Sequence, residues 1–511
     1  MNERMMDQNN TYYQQQPMMP PPPIWQRVMN RASKMKDAFP KWLTQYSVVV
    51  YLLSLAIVSF IYSAYSLPWY YMLSGLVAVL VFFLYGNTLL QKTSIVKMRK
   101  ERTFEKRLLI YALIPRLLFM LLIYWIFESN YNNAFGFEEG DASYYNDQAI
   151  EFAEALRNGN FGAVWERTSK VIDVSDLGYS AYVGFIYWLT DNSIMVVRLI
   201  KCLLSAITVL LIYRIAKRNF GEEAGRMAAI FCALWPNFWY YCGVHLKEVE
   251  MVFLGVLFVE QADQMLRSRQ FTAWKIIPVL LIAAALFTVR TPLGLVALLA
   301  LIFSVVMSSA KVVNWGKRII VGTLAIALIA VTMGNRIQEQ AQSLLETAQS
   351  QDQRSNMEWR ATRNNGNTFA KYAGSAIFAP MIFTLPFPTM ANIEGQDVQQ
   401  LLNGGNFVKN IMSFFVLVAM FALLLSGEWR QHLLPLSFML GYLVVLSLSN
   451  FAQSERFHQP ALPFEFMFAA YGLSIAVTKK KYKRWFTYWC GLMFVACMAW
   501  NWFKLAGRGL A

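Results

Sequence analysis

The chain has 511 residues, of which 56% are hydrophobic and 15% charged, against about 25% charged in ordinary globular proteins. Charge this sparse does not cover the surface of a water-soluble protein of this length, and the mean hydropathy is +0.35; soluble, fibrous, disordered and disulfide-scaffold classes are excluded. Net charge is +15, from 46 Lys and Arg against 31 Asp and Glu, and the basic residues sit in short clusters between apolar runs. That is the positive-inside pattern of a polytopic membrane protein rather than the patch of a nucleic-acid binder.

Residues 1–46 read as a disordered tail rich in Gln, Asn and Met, closing on a proline run at 20–23, followed by a basic amphipathic segment at 24–44 on the cytoplasmic leaflet. Residues 47–128 hold three spans, at 47–66, 68–90 and 108–128. The loop 91–107 carries seven Lys and Arg against two Glu, which puts it and the N-terminus in the cytoplasm. Residues 129–190 form an external acidic loop: 128–176 holds ten Asp and Glu against three Lys and Arg. Within it, apolar residues at 145, 149, 152, 153 and 156 make the stripe of an amphipathic helix over 143–157. The apolar piece 179–190 is too short to span.

Residues 191–334 read as the transmembrane core, with spans at 194–215, 224–241, 249–265, 276–289, 292–310 and 319–334. Residues 335–406 are a second external loop. Its half-apolar piece 372–390, broken by Pro380, Pro386 and Pro388, reads as interfacial or re-entrant. Residues 407–511 close the chain with spans at 407–426, 432–449, 461–478 and 485–504. The reading is an all-α polytopic membrane protein of about 13 transmembrane helices, with external amphipathic helices, N-terminus inside and C-terminus outside. The five cysteines, Cys202, Cys232, Cys242, Cys490 and Cys497, form no Cys-x-x-Cys pair and read as packing residues. With three His in the chain, a zinc site of the usual spacing is not expected.

Under this topology four polar features share the outer face: Glu138-Glu139-Gly140-Asp141 with Tyr145, Trp235-Pro236-Asn237 followed by His245-Leu246-Lys247-Glu248, Arg290-Thr291-Pro292, and Ser454-Glu455-Arg456-Phe457-His458. Each has a plain reading. Asp141 serves as an N-cap of the helix beginning near Ser143, Lys247 and Glu248 as an interface pair, Arg290 and Arg456 as snorkelling anchors, His458 as an interfacial histidine, and Trp235 and Tyr240 as part of an aromatic belt. Jointly they fit one chemistry. Transfer from a phosphate-bearing lipid needs an outward carboxylate to take a proton from the acceptor hydroxyl, and fixed cations to hold the phosphate as charge grows on it.

The sequence resembles the GT-C superfamily of membrane glycosyltransferases, in particular the bacterial protein O-mannosyltransferase and aminoarabinose-transferase group. Asp141, Tyr145 and Ala149 match that group's acidic motif in the first large external loop. The stretch YVGFIYWLTDNSIMVVRL at 182–199, then KRNFGEEAGRMAAIFCALWP at 217–236, is similar to the family. So are Lys247-Glu248 at the start of a span and SERFHQPALPF at 454–464.

The resemblance implies Asp141 as catalytic base, with Lys247, Arg290 and Arg456 on the phosphate of a polyprenyl-phosphate-linked sugar donor. Glu139, Tyr145, Glu248 and His458 are the supporting residues. It implies a lipid, glycan or protein acceptor and no nucleic acid, in a bacterial inner membrane with the active site on the periplasmic side. Two departures stand out. The second acid of the family's usual pair is Ala142 here, which leaves a divalent metal open and unassigned and makes Glu139 the candidate substitute, and two N-terminal spans precede the common core. The rival readings are an O-antigen ligase or polymerase, whose large external loop comes late in the chain, a polysaccharide or lipid transporter, which would place charges mid-span, and a non-catalytic scaffold; Arg116 and Arg198, within spans, serve either the transferase or the transporter view.

Overall fold

The computed structural model describes residues 39–95, 97–98, 100–160, 162, 174–268, 273–309, 313, 315–333, 381–447 and 453–510. The tail and most of the basic segment expected over 1–46 lie outside them, as do most of 335–406. Among the described residues the chain is all-helical, with no strand and one isolated antiparallel bridge between Ser66 and Ala391.

In chain order the first helices are α1 (Lys41–Ile61), α2 (Trp69–Lys92), α3 (Glu101–Tyr131), α4 (Glu139–Asn158), α5 (Val174–Thr190), α6 (Ile194–Phe220), α7 (Glu222–Leu234), α8 (Pro236–Gly243) and α9 (Glu248–Arg267). There follow α10 (Ile276–Val289), α11 (Thr291–Met307), α12 (Trp315–Met333), α13 (Asp397–Leu401), α14 (Asn403–Ser426), α15 (Leu433–Ser447), α16 (Glu455–His458), α17 (Leu462–Ala476) and α18 (Lys480–Ala506).

Five of these, α1, α2, α3, α6 and α14, are long and apolar enough to cross a membrane. By this criterion the expected count of about 13 is not reached. Length accounts for part of the difference: α10, α11, α15 and α17 are apolar but have 14, 17, 15 and 15 residues, a rise of about 21–26 Å against a hydrocarbon core of about 30 Å, whereas α9 has 20 residues but carries Glu248, Glu250, Glu260, Asp263 and Arg267.

Burial separates peripheral helices from the centre. α1 buries only Leu43, Ser47, Tyr51, Ser54 and Val58, one stripe at helical spacing, while apolar Leu52, Leu53 and Phe60 face outward. An apolar outer face suits lipid. α17, by contrast, is buried all round and packs on α14. The two backbones approach so closely at Gly472 that an added Cβ would sit 1.8 Å from the Phe415 carbonyl oxygen. Gly472→Ala is therefore expected to destabilise the bundle by about 1–3 kcal/mol, read as a lower unfolding temperature in detergent.

One helix differs from the sequence reading. The single span expected over 224–241 is two helices, α7 and α8, because Pro236 lacks an N–H and holds Trp235 in extended backbone at φ −77°, ψ 119°. The described part of the proline-broken piece, 381–390, is non-helical and buried inside the bundle. Side chains satisfy its backbone: Asn410 Nδ2 donates to the Pro386 carbonyl at 3.0 Å, Ser413 Oγ to that of Phe383 at 2.6 Å, and Asn501 Nδ2 to that of Pro388 at 3.1 Å, while Asn501 Oδ1 accepts from Met390 N–H at 2.7 Å. Irregular backbone is tolerated at such depth only when enclosed by protein in this way. At the ends of α6 and α9 remote from Asp141, Arg218 grips Glu260 and Asp263, and Arg267 donates to Asp263 at 2.8 Å, clamping the two helices.

Candidate active site

The turn that delivers Asp141 is built by local chemistry. α3 ends on Asn132 in the left-handed region, φ 52°, a conformation Asn tolerates. Asn133 Oδ1 then accepts from the N–H groups of Phe135 at 2.8 Å and Gly136 at 2.7 Å. Gly136 has φ +55°, and a Cβ there would strike the Phe127 ring, so the turn needs glycine. A short 3-10 turn, Gly136–Glu138, leads directly into α4.

α4 begins four residues earlier than the sequence stripe suggests. Asp141 therefore sits within its first turn rather than at the N-cap, and makes no capping bond. The buried stripe of α4, Ala142, Tyr145, Ala149 and Ala153, packs on α5, where a Cβ at Gly184 would come 2.8 Å from the Ala149 carbonyl oxygen. Ala142 is fully buried, so an acid there would point into packing. Glu139 is exposed and makes no ion pair or hydrogen bond among the described residues. The second acid at the site is the neighbouring Glu138.

Arg456 organises the centre. Its Nη1 donates to Asp141 Oδ2 at 2.5 Å and its Nε to Glu248 Oε1. One planar fork thus joins α4, α9 and α16. Glu248 is buried and Asp141 is 58% exposed, so the bond to Glu248 is enclosed and the bond to Asp141 is open to exchange. Burial pushes the Glu138 carboxyl up to about 8, against a downward pull from Arg456 and with Glu248, Glu455 and Asp141 adding to the rise.

The sign of that shift gives a prediction. Folded protein favours the protonated form, so the contribution of Glu138 to stability is full below its ordinary value of 4.5 and is lost as pH rises to about 8. Glu138→Gln is expected to flatten the fall in unfolding temperature between about pH 5 and 9. Equal slopes for variant and wild type would contradict the assignment.

A second cation stands beside the first. Lys247, at the N-terminal boundary of α9, bonds the Asp176 carboxylate, donates to the Val289 carbonyl at 3.1 Å and lies 5.7 Å from the Tyr145 ring centroid. Tyr145 Oη donates to Asp176 Oδ1 at 3.4 Å. Arg290, in extended backbone between α10 and α11, stacks on Phe457 at 4.6 Å, and Arg456 lies 5.8 Å from the same ring. Among the described residues Arg290 has no ion-pair partner. Tyr442 Oη donates to the Phe457 carbonyl at 2.9 Å and pins this segment.

Sequence reasoning gave no role to Glu138, Asp176 and Phe457, although Glu138 and Phe457 stand within the polar features named above. Only the density of acids in 128–176 hinted at the first two. Three other readings change. His458 is fully buried and faces the other way, with Nδ1 2.9 Å from Lys409 Nζ, itself 3.9 Å from Glu465. Trp235 is buried and donates to the Gly405 carbonyl at 3.0 Å, and Tyr240 is fully buried, so both are packing residues. As for a divalent metal, Asp141 and Glu248 are both taken by Arg456, and no group of three or more His, Cys, Asp or Glu suited to a metal forms among the described residues. The donor set does not fit a metal.

Residues 178–333 match the family model described as dolichyl-phosphate-mannose-protein mannosyltransferase. The match supports a GT-C membrane glycosyltransferase. It runs from within α5 to the end of α12 and includes Lys247, Glu248 and Arg290, while Asp141, Tyr145 and Arg456 lie outside it. No curated protein and no solved structure matches the chain significantly.

Proposed function

We propose that the chain moves a sugar from a polyprenyl-phosphate donor to a hydroxyl of a lipid, glycan or protein acceptor, with inversion at the anomeric carbon. The observation that carries this reading is the exposed Asp141 carboxylate tethered to the buried Arg456 fork, with Lys247 and Arg290 alongside. Arg290, unpaired among the described residues, is the first anchor for the donor phosphate. Phosphate then competes with Asp141 for Arg456, an exchange that costs little because an exposed ion pair is worth about 0–1 kcal/mol.

Asp141, once released, takes the proton of the acceptor hydroxyl. The hydroxyl oxygen bonds to the anomeric carbon, and the bond to the phosphate oxygen breaks on the opposite face. The electron pair leaves on polyprenyl phosphate, whose growing charge falls to Arg290, Lys247 and Arg456. Glu248 and Tyr145 hold Arg456 and Asp176 in place. The bond pattern predicts an order of binding, donor before acceptor.

The membrane setting belongs to the same proposal. It is a bacterial inner membrane with the N-terminus cytoplasmic and the site periplasmic. The proposed domains are 1–46, 47–128, 129–190, 191–334, 335–406 and 407–511. The test is turnover. Purified protein in liposomes, given polyprenyl-phosphate sugars and an envelope lipid extract, should release polyprenyl phosphate and form a glycosylated lipid or glycan. Donors left intact under all acceptors, protein included, would contradict the proposal.

A further inference from the structure

Beside Glu248 the bundle holds a partly enclosed cavity of about 10 Å³, whose lining includes Ser205, Thr208, Tyr241, Glu248, Gln459 and Val252. That is about the smallest space that admits one water. Two of the polar lining residues each keep a buried oxygen with no hydrogen-bond partner among the described residues, Glu248 Oε2 and Gln459 Oε1. Such atoms are costly to leave unpaired. Of the other lining residues, Ser205 Oγ accepts from Arg116 Nε at 2.7 Å, which leaves its hydroxyl proton either for Cys242 Sγ, also within its reach, or for the cavity. Arg116 is itself fully buried, and its other donors end on the carbonyls of Ala112 at 2.7 Å, Ala233 at 3.2 Å and Cys232 at 3.1 Å.

We infer that this cavity is a water site, and that the water is part of the donor-binding machinery. It accepts from Ser205 Oγ and donates to Glu248 Oε2 and Gln459 Oε1. A chain of donors then runs from Arg116 through Ser205 and the water to Glu248, which holds Arg456 at Nε while Nη1 faces Asp141. Glu248 needs this second donor because its carboxylate is buried and Arg456 reaches only Oε1, which leaves Oε2 without a partner among the described residues. Ser205, Gln459 and Arg116 are thereby positioning residues for the phosphate-binding arginine, which gives Arg116 a use that its burial alone does not. The inference rests on the donor-phosphate reading above.

One variant fills the cavity without touching a polar group, and the other removes one. Val252→Ile adds one methyl carbon at its wall; Ser205→Ala removes the hydroxyl. Binding of undecaprenyl phosphate to the full-length protein in detergent is measured alongside the unfolding temperature. Both variants should bind about five-fold more weakly, the effect of one lost hydrogen bond, and Val252→Ile, which displaces the water from Glu248 Oε2 and Gln459 Oε1, should unfold earlier than wild type. If Val252→Ile raises the unfolding temperature and leaves affinity unchanged, the cavity is a packing gap and the inference falls. Should Val252→Ile fold poorly, Ser205→Ala alone decides on the same readout. A wild type that does not bind undecaprenyl phosphate overturns the donor reading instead. The water site is then judged on a high-resolution density map, where a water between Glu248 and Gln459 upholds it and a dry cavity rejects it.

Discussion

Asp141→Asn is expected to abolish sugar transfer while leaving the fold and the donor site intact. The loss should reach about 10²–10⁴-fold, the range for a positioned general base. Asn keeps the shape of the side chain and an oxygen for Arg456 Nη1, but it has no basic oxygen for the acceptor proton. Because Asp141 is exposed and its bond to Arg456 lies at the rim, its replacement disturbs no buried charge. Donor affinity should stay equal to wild type or rise slightly, since phosphate no longer competes with a carboxylate for Arg456. Transfer rates in liposomes, with donor binding measured on the same preparation, check both halves. Near-normal turnover in the variant would remove Asp141 from the mechanism.

Arg456→Ala acts on stability and binding together. It strips Glu248 of its only ion-pair partner among the described residues, and Glu248 is almost fully buried. Breaking one side of a buried pair costs about 3–5 kcal/mol, so the variant should unfold many degrees earlier and bind polyprenyl phosphate weakly. The two effects separate in the double variant Glu248→Gln with Arg456→Ala. Neutralising the stranded carboxylate should recover much of the unfolding temperature and none of the binding. Binding that returned with stability would mean that Arg456 is a structural tie and not a phosphate contact.

Composition made the membrane class and the helical fold legible, because 15% charge and long apolar runs leave few alternatives. Residue types also gathered Asp141, Lys247, Glu248, Arg290 and Arg456 onto one face, and the structure brings Asp141, Glu248 and Arg456 into direct contact. What stayed hidden was direction. Arg456 and His458 are two residues apart on a four-residue helix, so their side chains point to nearly opposite sides, one to Asp141 and the other to Lys409. Glu138 and Glu139 are adjacent, yet the turn at Gly136 turns the first towards Arg456 and leaves the second exposed. The partner of Lys247, Asp176, lies 71 positions away in a stretch whose apolar pattern begins only after it. The break at Pro236 was present in the sequence, but the apolar run across it masked the end of α7.

The most direct test of the account is to identify the lipid that stays with the protein through detergent extraction. Native mass spectrometry would compare wild type with Arg290→Ala, because Arg290 has no ion pair among the described residues and its removal strands no buried charge. The account predicts polyprenyl phosphate or its glycosylated form on the wild type and its loss from the variant, with both proteins equally stable. Bulk phospholipid alone, in equal amounts on the two proteins, would contradict it.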